Sequence, residues 1–183
     1  MLLLLLLLLS LLSLLLPAAP LAFEYSGRIS APPSTSNPRP FRAGFVAIVG
    51  APNMGKSSLL NTLLDYNLAI TNPRPQTTRH SILGILTALE HNTQLAFLDT
   101  PGVIAEPAYA LQTTMMDAVK GSLTSADLLL VVTDIYTEVS PLDTVIVSIR
   151  KSDKNVVVVV NKMDLVEETT REIALDDVVK VSS

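Results

Sequence analysis

The chain contains no cysteine. That excludes disulfide staples, cysteine zinc sites and thiol catalysis. Tryptophan is also absent and aromatic residues make up 4% of the 183 residues, so there is no aromatic platform on which single-stranded bases could stack. An excess of positive charge is lacking too: thirteen Lys and Arg face seventeen Asp and Glu, for a formal net charge of −4 and a pI near 5.1. A protein that grips a polynucleotide over a broad face is usually basic, and this composition carries no such electrostatic footprint. The two histidines, His80 and His91, have no metal-ligand spacing, which argues against a histidine metal centre.

Hydrophobic residues are plentiful at 49%, but one end inflates that figure. Leu2 to Leu16 is leucine apart from Ser10 and Ser13. The run is shorter than the roughly 20 residues that cross a bilayer, so no membrane span is expected. No Lys or Arg precedes it, and Pro17 to Ala22 holds small residues without a clear A-x-A cleavage pattern. Phe23 to Arg42 is rich in Pro and Ser, with Arg28, Arg39 and Arg42 against one acid, Glu24. Three readings stay open: a transit peptide to an organelle, a secretory signal, or low-complexity sequence with no address. On any of them residues 1–43 are leader and linker, and an ordered domain begins near Gly44.

From there strands and helices alternate. Gly44 to Val49 is an apolar run that stops at a glycine and reads as a buried strand. Lys56 to Leu64 carries Leu59, Leu60, Leu63 and Leu64 on one helical side. Asp65 to Thr78, with Pro73 and Pro75, reads as a loop. Ser81 to Leu89 and Thr93 to Leu98 read as strands about a turn at His91 and Asn92. Ala108 to Leu123 reads as a helix with Leu111, Met115 and Val119 inward. Leu128 to Val132 is a central strand. Ser140 and Pro141 suit a helix start, with Leu142, Val145, Ile146 and Ile149 on one face. Val156 to Val160 reads as a strand buried on both faces. The order implies an α/β fold with a mostly parallel sheet and helices on both faces.

Three short segments carry chemistry. Gly50 to Ser57 (GAPNMGKS) fits G-x-x-x-x-G-K-[ST] between a strand and a helix. In that setting backbone N–H groups at a helix N-terminus form a nest for phosphate oxygens. Gly50 and Gly55 permit the turn, and Asn53, Met54 and Ser58 complete the candidate cradle. Lys56 would reach the β- and γ-phosphates, and Ser57 offers a hydroxyl to Mg²⁺. Asp99-Thr100-Pro101-Gly102 follows a strand; Asp99 can hold Mg²⁺ through water, and Gly102 can offer an unobstructed N–H to the γ-phosphate. Asn161-Lys162-Met163-Asp164 follows the valine strand. Guanine presents N1–H and N2–H₂ as paired donors that one carboxylate, Asp164, can accept, while the Lys162 stem can lie over the ring. Adenine would leave that carboxylate unpaired. Alone, the second and third segments read as polar turns. Together, in this order and each past a strand's C-terminal end, they point to a guanine-nucleotide site.

The set GAPNMGKSS, PQTTRH, DTPG and NKMD resembles the Era family of GTPases, over Gly44 to Ser183. The resemblance implies a Ras-like P-loop NTPase fold and GTP hydrolysis with Mg²⁺, with Lys56, Thr78 and Gly102 as the catalytic candidates. It implies that Thr78, rather than Thr77, is the switch threonine that closes on Mg²⁺ and the γ-phosphate. It implies that Asn53 binds K⁺ and that the Ser182 N–H lies near guanine O6. It implies a role with the small ribosomal subunit and its RNA, in a chloroplast or mitochondrion if the leader is a transit peptide. Three positions depart from the family pattern or lack a catalytic group: Asp65 stands where the family has glycine, Val103 leaves no catalytic glutamine after Gly102, and Ser183 replaces an alanine. Val166 to Asp176 is shorter than the family's helix, and the closing helix and the KH domain that follow in Era proteins lie beyond Ser183. The expected domain is therefore 44–183 with an incomplete C-terminal edge, leaving Gly44 to Val49 partly uncovered. Two other functions fit the residues: a nucleotide-binding fragment without activity, and a P-loop ATPase or kinase.

Overall fold

A computed structural model describes residues 41–71, 78–104, 106–135 and 153–165. The expected helix from Ser140, the segment 166–176, Ser182 and nearly all of the leader lie outside them. The first strand, β1 (Arg42–Val49), starts two residues before the Gly44 boundary. It is followed by α1 (Lys56–Leu64), β2 (Ile82–Ala88), β3 (Thr93–Asp99), α2 (Ala110–Ser125), β4 (Leu128–Thr133) and β5 (Asn155–Val160).

The five strands form one sheet in the order β2-β3-β1-β4-β5. Only β2 runs antiparallel, against β3; β1 pairs in parallel with both β3 and β4, and β4 with β5. Strand alternation sends the central residues to opposite faces. Val46, Ile48, Leu128, Leu130 and Phe97 pack under Leu60 and Leu63 of α1. Ala47, Val49, Leu129 and Val131 pack against Met115, Met116 and Val119 of α2. Helices thus cover both faces, as the alternation implied. The chain leaves β1 for β2 and β3 on one side and then crosses through α2 to β4 on the other, so the carboxyl ends of β1, β3 and β4 surround a crevice of the kind in which α/β sheets bind ligands.

Three local expectations need correction. Gly44 to Val49 is uncovered only at its start: Phe45 is exposed and Gly44 part-exposed, whereas Val46 to Val49 are fully buried, since β1 is the central strand with a helix on each face. The valine strand is not buried on both faces. Among the described residues β5 pairs with β4 alone; Val157 and Val159 reach the α1 side, whereas Val156 and Val158 are each 39% exposed. Leu111 is also exposed: the inward stripe of α2 is Gln112, Met115, Met116, Val119 and Ser122, and Leu111 falls at its edge in the first turn. The turn expected at His91 and Asn92 is present, as a short 3₁₀ segment, Leu89–His91, closed by Asn92 in the left-handed region.

Two side chains tie connecting segments to the helices. Lys154, just before β5, donates from Nζ to the carbonyl oxygens of Leu123, Thr124 and Ala126, so a cation meets the otherwise unpaired carbonyls at the end of α2. Asn61 on α1 accepts from the N–H groups of Leu68 and Ala69 and donates to Ala69 O. It thereby folds the loop after α1 back onto the helix. Asp65 ends that helix at φ 52°, a left-handed conformation in which glycine carries no Cβ penalty.

Candidate functional site

The loop between β1 and α1 takes its shape from left-handed residues at Asn53 (φ 62°) and Gly55 (φ 83°). A Cβ at Gly55 would also strike the Asn161 amide. Lys56 begins α1 and is buried, its Nζ donating to Gly50 O at 3.0 Å and Ala51 O at 2.8 Å. Burial pulls its pKa down to about 8, against the opposing charge of Asp99. Asn53 and Ser58 are exposed, whereas the Met54 side chain is buried in the core. Met54 can therefore meet a ligand only through its backbone.

Asp99 closes β3 and is fully buried. Ser57 donates to its Oδ2 at 2.6 Å, Thr78 Oγ1 lies 3.5 Å from the same oxygen, and the two hydroxyls are 3.2 Å apart. Burial raises the Asp99 pKa, opposed by the bond from Ser57, by the Lys56 charge and by Thr78. Its other oxygen, Oδ1, is buried without a hydrogen-bond partner. A buried carboxylate oxygen with no partner is costly, and the hydroxyls of Ser57 and Thr78, from different elements, gather at the other oxygen of the same carboxylate. That donor set suits Mg²⁺, which prefers few protein oxygens and keeps several waters. Thr78 thus lies beside Ser57 and Asp99; Thr77 lies outside the described residues.

The segment after Asp99 is tied to the phosphate loop. Thr100 donates through Oγ1 to Ile48 O at 2.7 Å, and Val103 N–H donates to Gly50 O at 3.0 Å. Gly102 is buried, and a Cβ there would stand 2.7 Å from the Cα of Pro52. Glycine is thus required by the close approach of the two loops, a constraint additional to any ligand contact. The third segment hangs from β4. Asn161 N–H donates to Thr133 O at 2.7 Å, and its side chain donates to Met54 O at 2.8 Å. Lys162 Nζ lies 2.7 Å from Asp134 Oδ2. Asp164 sits exposed in the 3₁₀ turn Met163–Leu165.

Lys56, Ser57, Thr78, Gly102, Asn161 and Lys162 line one cavity of about 470 Å³, within the size range of nucleotide-sized ligand sites. Asp99 stands behind Ser57 and Thr78. Asp164 is not in the wall, and Ser182 lies outside the described residues. Three contributors escaped the sequence: Thr100, the Ile70 to Thr71 wall and Asp134. Only Asp134 carried a signal, an acid at a strand's carboxyl end like Asp99.

A polyphosphate bound against Lys56 favours its charged form. Without ligand that charge is lost as pH rises through about 8, so binding above that pH takes up a proton. Affinity is expected to be level on the acid side and to weaken by up to about tenfold per pH unit on the alkaline side. Titration of GDP across roughly pH 7 to 9.5 checks this; a flat profile would place Lys56 away from the phosphates.

Residues 45–162 match the family described as 50S ribosome-binding GTPase. The chain is 48% identical over 128 residues to GTPase Era of Thermoanaerobacter sp. (strain X514), covering 69% of this chain and 41% of that protein. It is 40% identical over 136 residues to the chloroplastic GTPase ERA-like protein of Oryza sativa subsp. japonica, covering 73% of this chain and 32% of the relative. A crystal structure of Era in complex with MgGDPNP and nucleotides 1506–1542 of 16S ribosomal RNA superposes with a TM-score of 0.69 at 38% identity, over 76% of this chain and 47% of that one. Aquifex aeolicus Era bound to GDP.AlF4⁻ gives 0.67 at 39%, over 75% and 47%. The chain thus spans less than half the length of these relatives.

Proposed function

This chain belongs to the family of 50S ribosome-binding GTPases and is an Era homologue within it, and we propose that it binds GTP and GDP with Mg²⁺ and hydrolyses GTP. The observation that carries the proposal is the convergence of Lys56, Ser57, Thr78 and Gly102 with Asn161 and Lys162 on one cavity, with Asp99 behind it. Backbone N–H groups from Asn53 to Ser58 and the Lys56 ammonium bind the phosphates, and the Gly102 N–H faces the γ-phosphate. Ser57 and Thr78, and Asp99 through water, would hold Mg²⁺, which would supply charge neutralisation at the phosphates. Asn161, Lys162 and Asp164 receive guanine, and the Ser182 N–H its O6.

In the reaction water adds to the γ-phosphorus as the bond to the β-phosphate oxygen breaks, giving GDP, inorganic phosphate and a proton to solvent. The groups in the cavity stabilise charge by fixed position. No described side chain there is a free general base, so slow intrinsic turnover is expected. We place the chain's work in small ribosomal subunit assembly, supported by the Era relative solved with 16S ribosomal RNA. The chloroplastic rice relative supports an organelle as its location; the leader and linker would then end where β1 begins, at Arg42, with the G domain following.

Ser57→Ala and Thr78→Ala test the metal and switch roles in single-turnover assays of the whole chain. Ser57→Ala is expected to weaken Mg²⁺-dependent binding of GDP and GTP alike and to slow hydrolysis. Thr78→Ala is expected to weaken GTP selectively, since its loop closes on the γ-phosphate. Equal loss of both nucleotides in Thr78→Ala would refute the switch role. Asn53, exposed beside the phosphate loop in a left-handed conformation, is the proposed K⁺ ligand. Hydrolysis should run faster in K⁺ than in Na⁺ at equal ionic strength, and Asn53→Ala should remove the difference; equal wild-type rates in both salts count against the ion.

A further inference from the structure

We propose that Asp134 is a positioning residue for guanine binding: it anchors the Lys162 ammonium and so stretches the lysine stem along the cavity as the apolar wall for the base. The proposal rests on the nucleotide site argued above. Asp134 follows β4 immediately, and its side chain is 3% exposed against 32% for that of Lys162. Its Oδ2 lies 2.7 Å from Lys162 Nζ. Lys162 lines the cavity and Asp134 does not, so the carboxylate acts through the lysine.

Backbone strain at Lys162 makes the anchor informative. Its φ is 58°, a left-handed conformation that a lysine adopts at a cost and keeps only where its surroundings hold it. Those surroundings are explicit. The β4–β5 register sets Thr133 beside Val160, and Thr133 O accepts from the next residue's N–H, Asn161. The Asn161 side chain reaches across to Met54 O. Asp134 then fixes the lysine's far end. With backbone and ammonium both held, the four-carbon stem between them has little freedom left. A lysine tethered this way presents methylenes to a ring without first losing side-chain entropy on binding.

The asymmetry of the pair dictates the test. Removing Lys162 takes the cation from a buried carboxylate, whereas removing Asp134 leaves a lysine that is part-exposed and hydrated. Asp134 is therefore the cleaner site to change. In the 183-residue chain, Asp134→Ala is expected to speed dissociation of N-methylanthraniloyl-GDP, and of its GTP counterpart, by about tenfold. Asp134→Asn keeps an oxygen acceptor and should lose less. The hydrolysis rate at saturating GTP should stay near wild type, because the loop lies at the base and not at the γ-phosphate. The double variant Asp134→Ala/Lys162→Met should dissociate no faster than Lys162→Met alone.

Dissociation in Asp134→Ala equal to wild type would overturn the proposal, as would effects of the two substitutions that multiply. A saturated rate that falls in step with affinity would also overturn it, by showing a general structural role. Should Asp134→Ala fail to fold, the Asp134→Asn comparison with Lys162→Met decides by the same criteria. Failure of the wild-type chain to bind either labelled nucleotide would instead refute the nucleotide site itself.

Discussion

Replacing Lys56 by methionine is expected to raise the dissociation constants for GDP and GTP by about 10²–10³-fold, the few kcal/mol lost when a buried, hydrogen-bonded charge pair loses one partner. The fold should survive. Methionine matches the apolar stem, and the ammonium it removes is one whose charge burial already disfavours, as the pKa near 8 records. Of the two carbonyls that Nζ meets, Gly50 O keeps the Val103 N–H as a donor. Folding of the nucleotide-free variant should therefore be near wild type, while phosphate binding collapses because no other cation among the cavity-lining residues stands at the phosphate loop. Isothermal titration of both nucleotides, with thermal unfolding in parallel, separates the two effects. Affinity within about threefold of wild type, under 1 kcal/mol, would remove Lys56 from the phosphate site.

The residues that carry chemistry were legible because local rules bind them. The phosphate loop must follow a strand and open a helix, and the helix begins at Lys56 where the motif demanded. The acids and amides after β3 and β5 announce themselves by position at strand ends. Packing was legible less often. A run of valines states strand, but whether Val156 and Val158 are covered depends on which elements lie over β5, a long-range fact. Leu111 has an apolar neighbour at every fourth position, yet the axis of burial passes through Gln112 and Ser122. Their polar character hides the stripe from a hydrophobic count. Asp134 was missed for a related reason. Its meaning arises only once the β4–β5 register brings the residue after Thr133 beside Lys162. Buried Thr100, whose hydroxyl bonds to Ile48 O, is likewise a product of tertiary contact that no spacing encodes.

The second large effect concerns the base. Asp164 follows Lys162 by two residues and sits exposed in its 3₁₀ turn, a carboxylate free to accept from a ligand. Guanine offers it two donors side by side. Asp164→Asn replaces one acceptor oxygen with a donor that meets the guanine N2–H₂ head-on, so one bond is lost and a repulsive contact is made. The expected loss for GTP is a few kcal/mol, roughly 10²–10³-fold. Xanthosine triphosphate carries an oxygen where guanine has the amino group, and that oxygen suits the new amide donor. The variant should therefore gain affinity for it as it loses GTP. Folding should be untouched, because the side chain is exposed. The central claim, a guanine-nucleotide site, is tested most directly by titrating GTP, ATP and xanthosine triphosphate against the wild-type chain and Asp164→Asn. The account predicts that wild type prefers GTP over ATP by about 10⁴-fold or more, and that the variant exchanges GTP for xanthosine triphosphate. Equal binding of GTP and ATP by the wild type, or an unchanged preference in the variant, would contradict it.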